Sequence, residues 1–176
     1  GLSPTQMGAV FWAFGIAYAV FEVPSGWLGD VIGPRKVLTR IVVWWSVFTT
    51  LTGLVHKFWS LLTVRFLFGA GEAGAYPNTS KIISRWIPRL DRGFAQGLVW
   101  TCGRSGGALA PYLTAYLIGH MGWRPTFWVY GAIGIVWAVF FWFWFRDRPQ
   151  QKPSVNEAEL KIIEAGQSSS VAQDSH

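Results

Sequence analysis

Five apolar stretches, each long enough to cross the hydrocarbon core of a bilayer, dominate this sequence of 176 residues. A membrane-spanning helix needs about 20 consecutive, mainly apolar residues. The stretches cover residues 7–29, 37–56, 58–84, 93–119 and 124–145. They predict an all-α integral membrane protein in which residues 1–148 form about five transmembrane helices.

The composition agrees with a membrane protein that has several spans and excludes some other classes. The chain is 51% hydrophobic and only 14% charged, whereas about a quarter of the residues in soluble domains are charged. Its single cysteine, Cys102, and three scattered histidines give no disulfide framework and no metal-ligand spacing, so we expect no metal and no bound cofactor. The net charge of +6 is assigned to cations that flank membrane helices, with lipid rather than nucleic acid as the partner.

The loops between the stretches differ in charge, and this difference predicts an orientation. By the positive-inside rule, basic loops face the cytoplasm. The charge-poor turns around His56 and His120 are then outside, as are residues 1–6, which fits a chain that has lost one preceding helix in a multi-pass protein of a bacterial inner membrane. The basic loops carry Arg35, Lys36 and Arg40, then Arg85, Arg89 and Arg92, then Arg146, Arg148 and Lys152.

Two ionisable residues, Arg65 and Glu72, lie inside the third stretch. An ionisable side chain at bilayer depth costs roughly 2.5–3.5 kcal/mol on insertion scales, so it is rarely present without a function. Seven residues on an α-helix rise about 10 Å and return to nearly the same face. The two side chains are therefore too far apart for a simple ion pair, and each needs another partner, a water-filled cavity or a ligand. Such a pattern is typical of a transport pathway.

Arg104, near the middle of the fourth stretch, is the third intramembrane charge. Counting from the segment ends places it at the depth of Glu72, so the two residues can meet. A planar guanidinium fork suits a carboxylate, which leaves two roles open: ion partner of Glu72, or ligand of an anionic substrate.

The loop after the first stretch, GWLGDVIGPRKVL, combines an acid, a glycine turn and two cations. An acid at a helix end followed by such a turn can hold a network that locks a cytoplasmic gate and breaks when the gate opens. This gate hypothesis concerns Gly26, Asp30, Gly33, Arg35 and Lys36; in the alternative, Arg35 and Lys36 only set topology.

Two prolines and many small residues mark the third and fourth stretches. Small residues let membrane helices approach closely. Pro77 and Pro111 are predicted to interrupt their helices, since such breaks are tolerated where backbone groups line a cavity or find other partners. Residues 149–176 change character: they predict the start of a cytoplasmic linker that is partly disordered, with Asn156 as the cap of a short amphipathic helix.

These motifs carry a family resemblance. The first loop resembles the major facilitator superfamily signature G-x-x-x-D-(R/K)-x-G-x-(R/K)-(R/K), departing from it at Val31. The segment RFLFGAGEAGAYPN, with Arg65, Glu72 and the pair Tyr76–Pro77, resembles the fourth helix of the anion:cation symporter family. That family includes bacterial sugar-acid transporters and the sialic-acid and vesicular glutamate transporters. The tail FRDRPQQKPSVNEAELKIIEAG is similar to the segment after the sixth helix in bacterial members.

The resemblance implies helices two to six of a twelve-helix transporter, with the first helix and the C-terminal half as missing partners and residues 149–176 as the start of the interdomain linker. It implies that Glu72 is the proton-coupling carboxylate and that Arg65 is tied to substrate binding or coupling. The expected function is secondary active transport, a proton-coupled symport of an organic anion by alternating access, with the proton as the coupling ion.

Three alternatives remain. An exporter or antiporter of the same superfamily is disfavoured, because the fifth helix lacks the pattern G-x-x-x-G-P-x-x-G-G and two arginines do not suit lipophilic cations. A transporter-like receptor that binds its ligand without moving it would be separated from a transporter by net uptake. A membrane enzyme is disfavoured, because no constellation of nucleophile, base and orienting group is found.

Overall fold

The computed structural model describes residues 3–168, which form a bundle of α-helices. The predictions for residues 1, 2 and 169–176 lie outside the described residues. Two short 3₁₀ helices, Arg89–Asp91 and Pro149–Gln151, join longer elements. The α-helices are α1 (Pro4–Ile32), α2 (Pro34–Thr52), α3 (Phe58–Glu72), α4 (Ala75–Trp86), α5 (Arg92–Met121), α6 (Trp123–Trp144) and α7 (Glu157–Ser168).

Helix α1 begins and ends at residues that explain its bounds. The Ser3 hydroxyl accepts a hydrogen bond from the Gln6 backbone N–H at 3.2 Å, and the Gln6 side chain accepts one from the Ser3 N–H at 2.9 Å. This reciprocal capping box, with Pro4 at the first helical position, fixes the start. Gly33, at φ +90°, separates α1 from α2, a conformation that residues with a Cβ rarely adopt.

The third predicted stretch is divided into α3 and α4, and the position of the break corrects the prediction for Pro77. The chain leaves the helix at Ala73 and Gly74, and Gly74 has the left-handed conformation, φ +90° and ψ 3°. A left-handed glycine just past the last helical residue is a common way to end a helix. Pro77 is the third residue of α4, where an N–H would have no intrahelical partner, so it continues the new helix instead of breaking the old one.

The second predicted interruption, at Pro111, is not observed. Helix α5 runs from Arg92 to Met121 with Pro111 inside it, as α1 runs through Pro24. A proline removes one backbone hydrogen bond, and in membrane helices neighbouring groups and local adjustments accommodate that loss without ending the helix.

Helix α2 lies at the centre of the bundle and packs mainly on α6 and α3. Its residues Val37, Ile41 and Ser46 are completely buried. A Cβ added to Gly131 or Gly134 of α6 would lie 2.0 Å from Thr50 Oγ1 or 2.1 Å from Ser46 Oγ. The α2–α6 contact therefore depends on glycines that let the two backbones approach closely.

Helix α5 is attached only at a few points. Tyr76 stacks on Trp100 with ring centroids 4.7 Å apart, and the hydroxyls of Thr114 and Tyr130 are 2.8 Å apart. Every residue from 100 to 113 is exposed. Much of this long helix therefore has no neighbour among the described residues.

Two of the described helices, α1 and α6, are individually long and apolar enough to cross a membrane. Because of the break at Ala73 and Gly74, α3 and α4 have only 15 and 12 residues, fewer than the 20 or so that one span needs. Helix α2 carries Arg35, Lys36 and Arg40 in its first two turns. The fold is all-α, as predicted, and five predicted stretches appear as six helices.

The short helix after Pro153 is present as α7. The Asn156 side-chain oxygen accepts a hydrogen bond from the Glu159 N–H at 2.8 Å, and the Glu159 carboxylate accepts one from the Asn156 N–H at 3.3 Å. The predicted capping role of Asn156 is confirmed.

Candidate functional site

Glu72 is the last residue of α3, directly before the helix break, and its side chain is half-buried. Two close contacts fix the backbone on either side of it. A Cβ on Gly71 would lie 1.6 Å from Trp44 Cδ1, and one on Gly74 would lie 2.6 Å from the Ser25 side chain. The Trp44 indole N–H also donates to the Leu67 carbonyl at 2.8 Å. The glycines around Glu72 thus let α1 and α2 hold the end of α3 in place.

Arg65 lies two turns before Glu72 on α3 and is also half-buried. Its guanidinium carbon is 5.5 Å from the centre of the Phe68 ring. Among the described residues, neither Arg65 nor Glu72 forms a direct ion pair, although the two lie within electrostatic range of each other. Two opposite charges on one helix are therefore both available to a ligand, a proton or another part of the protein.

Arg104 does not meet Glu72, contrary to the expectation from equal depth. It lies in the exposed part of α5, and its side chain forms no hydrogen bond or ion pair with any described residue. The physical reason is that α5 contacts α4 and α6 near its ends, and its middle packs on neither α3 nor α1. Arg104 was predicted to be either the ion partner of Glu72 or a ligand of an anionic substrate, and the structure does not contain the ion pair.

Tyr18 of α1 was not predicted from the sequence. Its hydroxyl is buried and has no hydrogen-bond partner among the described residues, and it lies within electrostatic range of Glu22 and Glu72. An unsatisfied buried polar group costs about 1–3 kcal/mol. Because it lies near Glu72, we include the hydroxyl in the candidate site. One tyrosine in an apolar helix gives no pattern by which the sequence could have identified it.

Asp30 of the predicted gate pairs with Lys81, a residue that no sequence motif identified. Lys81 Nζ is 2.7 Å from Asp30 Oδ1 and also donates to the carbonyl of Gly26. Lys36 is exposed and has no ion pair among the described residues. The acid therefore ties α1 to α4 and not to the cations that follow it in sequence. A single lysine in an otherwise uncharged part of the third stretch, NTSKIIS, was the available signal.

Arg35 is held by the end of α6. Its backbone N–H donates to Asp147 Oδ1 at 2.8 Å, so this carboxylate caps the start of α2. The Arg35 side chain donates to the Trp142 carbonyl at 3.1 Å and lies 4.3 Å from the centre of the Trp142 ring. A Cβ on Gly33 would lie 2.9 Å from Asp147 Oδ2, so the turn needs glycine for space as well as for its φ.

A buried amide links the gate to the helix break. The Asn78 side chain is fully buried and donates to the carbonyls of Ser25 at 3.2 Å and Gly74 at 2.8 Å. Arg40 of α2 donates to the Ser25 hydroxyl at 2.8 Å. These bonds join α1, α2 and α4 between Glu72 and the Asp30–Lys81 pair.

The side chains of this arrangement can exchange a proton and bind an anion. Residues 3–168 contain no group of three or more His, Cys, Asp or Glu side chains placed to hold a metal ion. A half-buried carboxylate can take up and release a proton, and arginines can bind a carboxylate.

Comparisons with known proteins agree with this chemistry. The family model described as Major Facilitator Superfamily matches residues 1–172. The probable sulfoacetate transporter SauU of Cupriavidus necator is 38% identical over 163 residues, which are 93% of this chain and 38% of that protein. The probable galactarate/D-glucarate transporter GudP of Escherichia coli is 36% identical over 172 residues, 94% of this chain and 38% of that protein.

A solved structure gives the same fold. The bacterial homolog of the human lysosomal transporter Spinster, in an inward-facing and unoccupied conformation, matches with a TM-score of 0.69 and 26% identity, over 84% of this chain and 36% of that one. The chain thus spans 38% of the length of the curated relatives named above. The predicted resemblance to bacterial organic-anion transporters is confirmed. The chain belongs to the Major Facilitator Superfamily, which is a family of transporters and not of enzymes.

Proposed function

We propose that this chain is part of a proton-coupled symporter that imports a small organic anion, a sugar acid or another carboxylate, by alternating access. The observation that carries the proposal is Glu72, a half-buried carboxylate at the broken end of α3 that forms no direct ion pair among the described residues. A group in this position can change its charge without breaking a structural ion pair. Proton coupling needs such a group.

The cations support an anionic substrate. Arg65 on α3 and Arg104 on α5 both lie in predicted spans, and neither forms a direct ion pair with a carboxylate among the described residues. The two relatives are named as probable transporters of sulfoacetate and of galactarate and D-glucarate, which are all anions. An unpaired guanidinium at bilayer depth is expensive unless a ligand neutralises it during part of the cycle. We therefore assign Arg65 and Arg104 to substrate binding or coupling.

The gate residues support alternating access. The Asp30–Lys81 pair and the Asp147 cap on α2 tie α1, α2, α4 and α6 together at one end of the bundle. Asp30 keeps 61% of its side-chain surface exposed, so the pair can exchange partners when the gate moves. In this proposal, the network holds one state of the cycle and rearranges in the other.

The proposed location is a bacterial inner membrane, with the basic loops in the cytoplasm. Single cysteines at Lys57 and Arg89, in a protein whose Cys102 is replaced, should react with an impermeant maleimide from opposite sides of the membrane. Lys57 should react from outside and Arg89 only after permeabilisation. Reaction of both from the same side would contradict the orientation.

The function is tested with the full-length transporter in proteoliposomes. Labelled D-glucarate should accumulate above its equilibrium level when the outside is acidic, and an imposed sodium gradient at equal pH should give no accumulation. Accumulation driven by sodium alone would contradict proton coupling. Binding without any accumulation would identify a receptor instead.

A further inference from the structure

A cavity of about 430 Å³ is lined by Arg65, by residues of the α2–α3 turn and by the start of α6, and four of its lining side chains are basic. We propose that His56, Lys57 and Arg124 form a second anion site, at which a carboxylate substrate docks before it reaches Arg65. The inference rests on the proposed function and adds an entry site on the side predicted to face outward. Among its described lining residues the cavity has four basic side chains, those of His56, Lys57, Arg65 and Arg124, and no acid.

The strongest observation concerns the contacts of the Arg124 guanidinium. Its Nη2 lies 2.7 Å from His56 Nδ1, and its guanidinium carbon is 4.7 Å from the centre of the Trp123 ring. Its Nε–H is buried and has no acceptor among the described residues. A buried guanidinium donor without an acceptor costs about 1–3 kcal/mol, and a movement of the side chain that brings this N–H to an oxygen ligand would recover that cost. A carboxylate is the acceptor that this fork fits best.

The cavity connects this second anion site to Arg65. Arg65 is seven residues beyond Phe58 on α3, a rise of about 10 Å, and both residues line the cavity. Arg124 and Arg65 line the same cavity, so a small carboxylate that leaves Arg124 would meet Arg65 within it. Apolar side chains, including Leu61 and Phe127, form much of the wall, and a low-dielectric wall strengthens the attraction of each cation for an anion.

A purely structural role for Arg124 makes a different prediction. If the Arg124–His56 bond only tied the α2–α3 turn to α6, its loss would lower the stability and the transport rate for substrate from either side. An entry site affects instead the concentration of external substrate that gives half-maximal uptake. Exposed Lys57 separates the two cases, because its side chain forms no hydrogen bond or ion pair with a described residue and its loss should not affect folding.

The experiment uses the full-length transporter in vesicles of known orientation, with labelled D-glucarate as the probe. Arg124→Gln should raise the external KM about tenfold and leave the maximal rate near that of the wild type, because one charge-assisted contact is lost before the transport site. Lys57→Gln should raise the external KM about threefold, because long-range attraction is weakened. The KM for substrate presented from inside should stay unchanged in both variants.

The matched control is His120→Gln, which removes a basic side chain from the same predicted side but outside the cavity. It should leave both KM values unchanged. Unchanged external KM values for Arg124→Gln and Lys57→Gln, with normal wild-type uptake, would overturn the entry site alone. Absence of uptake of both D-glucarate and sulfoacetate by the wild type would instead contradict the proposed function.

Discussion

Two glycine-rich segments of the chain have similar compositions and opposite surroundings. In GAGEAGA, at the junction of α3 and α4, each glycine lies so close to another helix that a Cβ would collide with it. In GRSGGALAP of α5, a Cβ on Gly103, Gly106 or Gly107 would meet no atom within 4 Å. Small residues permit a close approach, but the fold decides whether a partner is there. The packed segment holds Glu72, and the unpacked one presents Arg104.

The largest expected effect is a loss of stability when the packing of the GAGEAGA segment is disturbed. Gly71→Ala places a methyl group against the Trp44 indole and should destabilise the protein by about 1–3 kcal/mol through overpacking. Gly106→Ala makes the same chemical change in open space and should be neutral or stabilising by up to about 1 kcal/mol through helix propensity. Thermal unfolding of both full-length variants in detergent measures the difference. Equal destabilisation by the two changes would show that α5 is packed as tightly as α3.

The second expected effect is on substrate binding by Arg104, in the unpacked segment GRSGGALAP. Because the Arg104 side chain touches no described partner, Arg104→Lys should leave the unfolding temperature unchanged. It should weaken binding of a carboxylate substrate about tenfold, since the planar fork is lost although the charge is kept. Calorimetric titration with the full-length protein tests this, and Arg89→Lys in a basic loop is the control. Unchanged affinity would exclude the role of Arg104 as a substrate ligand.

The smallest expected effect is on the ion pair between Asp30 of α1 and Lys81 of α4. A double-mutant cycle with Asp30→Asn and Lys81→Gln should give a coupling of about 0.2–1 kcal/mol in stability, because both side chains are partly exposed. The same cycle with Lys36→Gln should give no coupling. Coupling to Lys36 and not to Lys81 would favour the partner expected from the sequence.

Features that depend on neighbouring residues could be predicted from the sequence. Local signals were sufficient for the apolar helices and the Asn156 cap, because hydropathy and capping act within a few residues. Local signals did not place the helix break at Ala73 and Gly74. In the sequence, a glycine that ends one helix and a proline in the first turn of the next both indicate a break, and they lie only three residues apart.

Contacts between distant helices were beyond the sequence patterns. The pairing of Asp30 with Lys81 and the capping of α2 by Asp147 join residues that are 51 and 112 positions apart. The separation of Arg104 from Glu72 could not be read from equal depth, because depth does not say which helices are neighbours. Tertiary packing decides all three.

The central claim, that Glu72 carries the coupled proton, is tested most directly with Glu72→Gln in proteoliposomes. Glutamine imitates the protonated acid in shape and charge, so a loaded carrier can still cross, whereas the empty carrier cannot reset by releasing a proton. We expect the variant to lose accumulation of D-glucarate driven by a pH gradient and to continue exchanging labelled for unlabelled substrate. Undiminished accumulation by Glu72→Gln would contradict the claim and place the coupling group elsewhere.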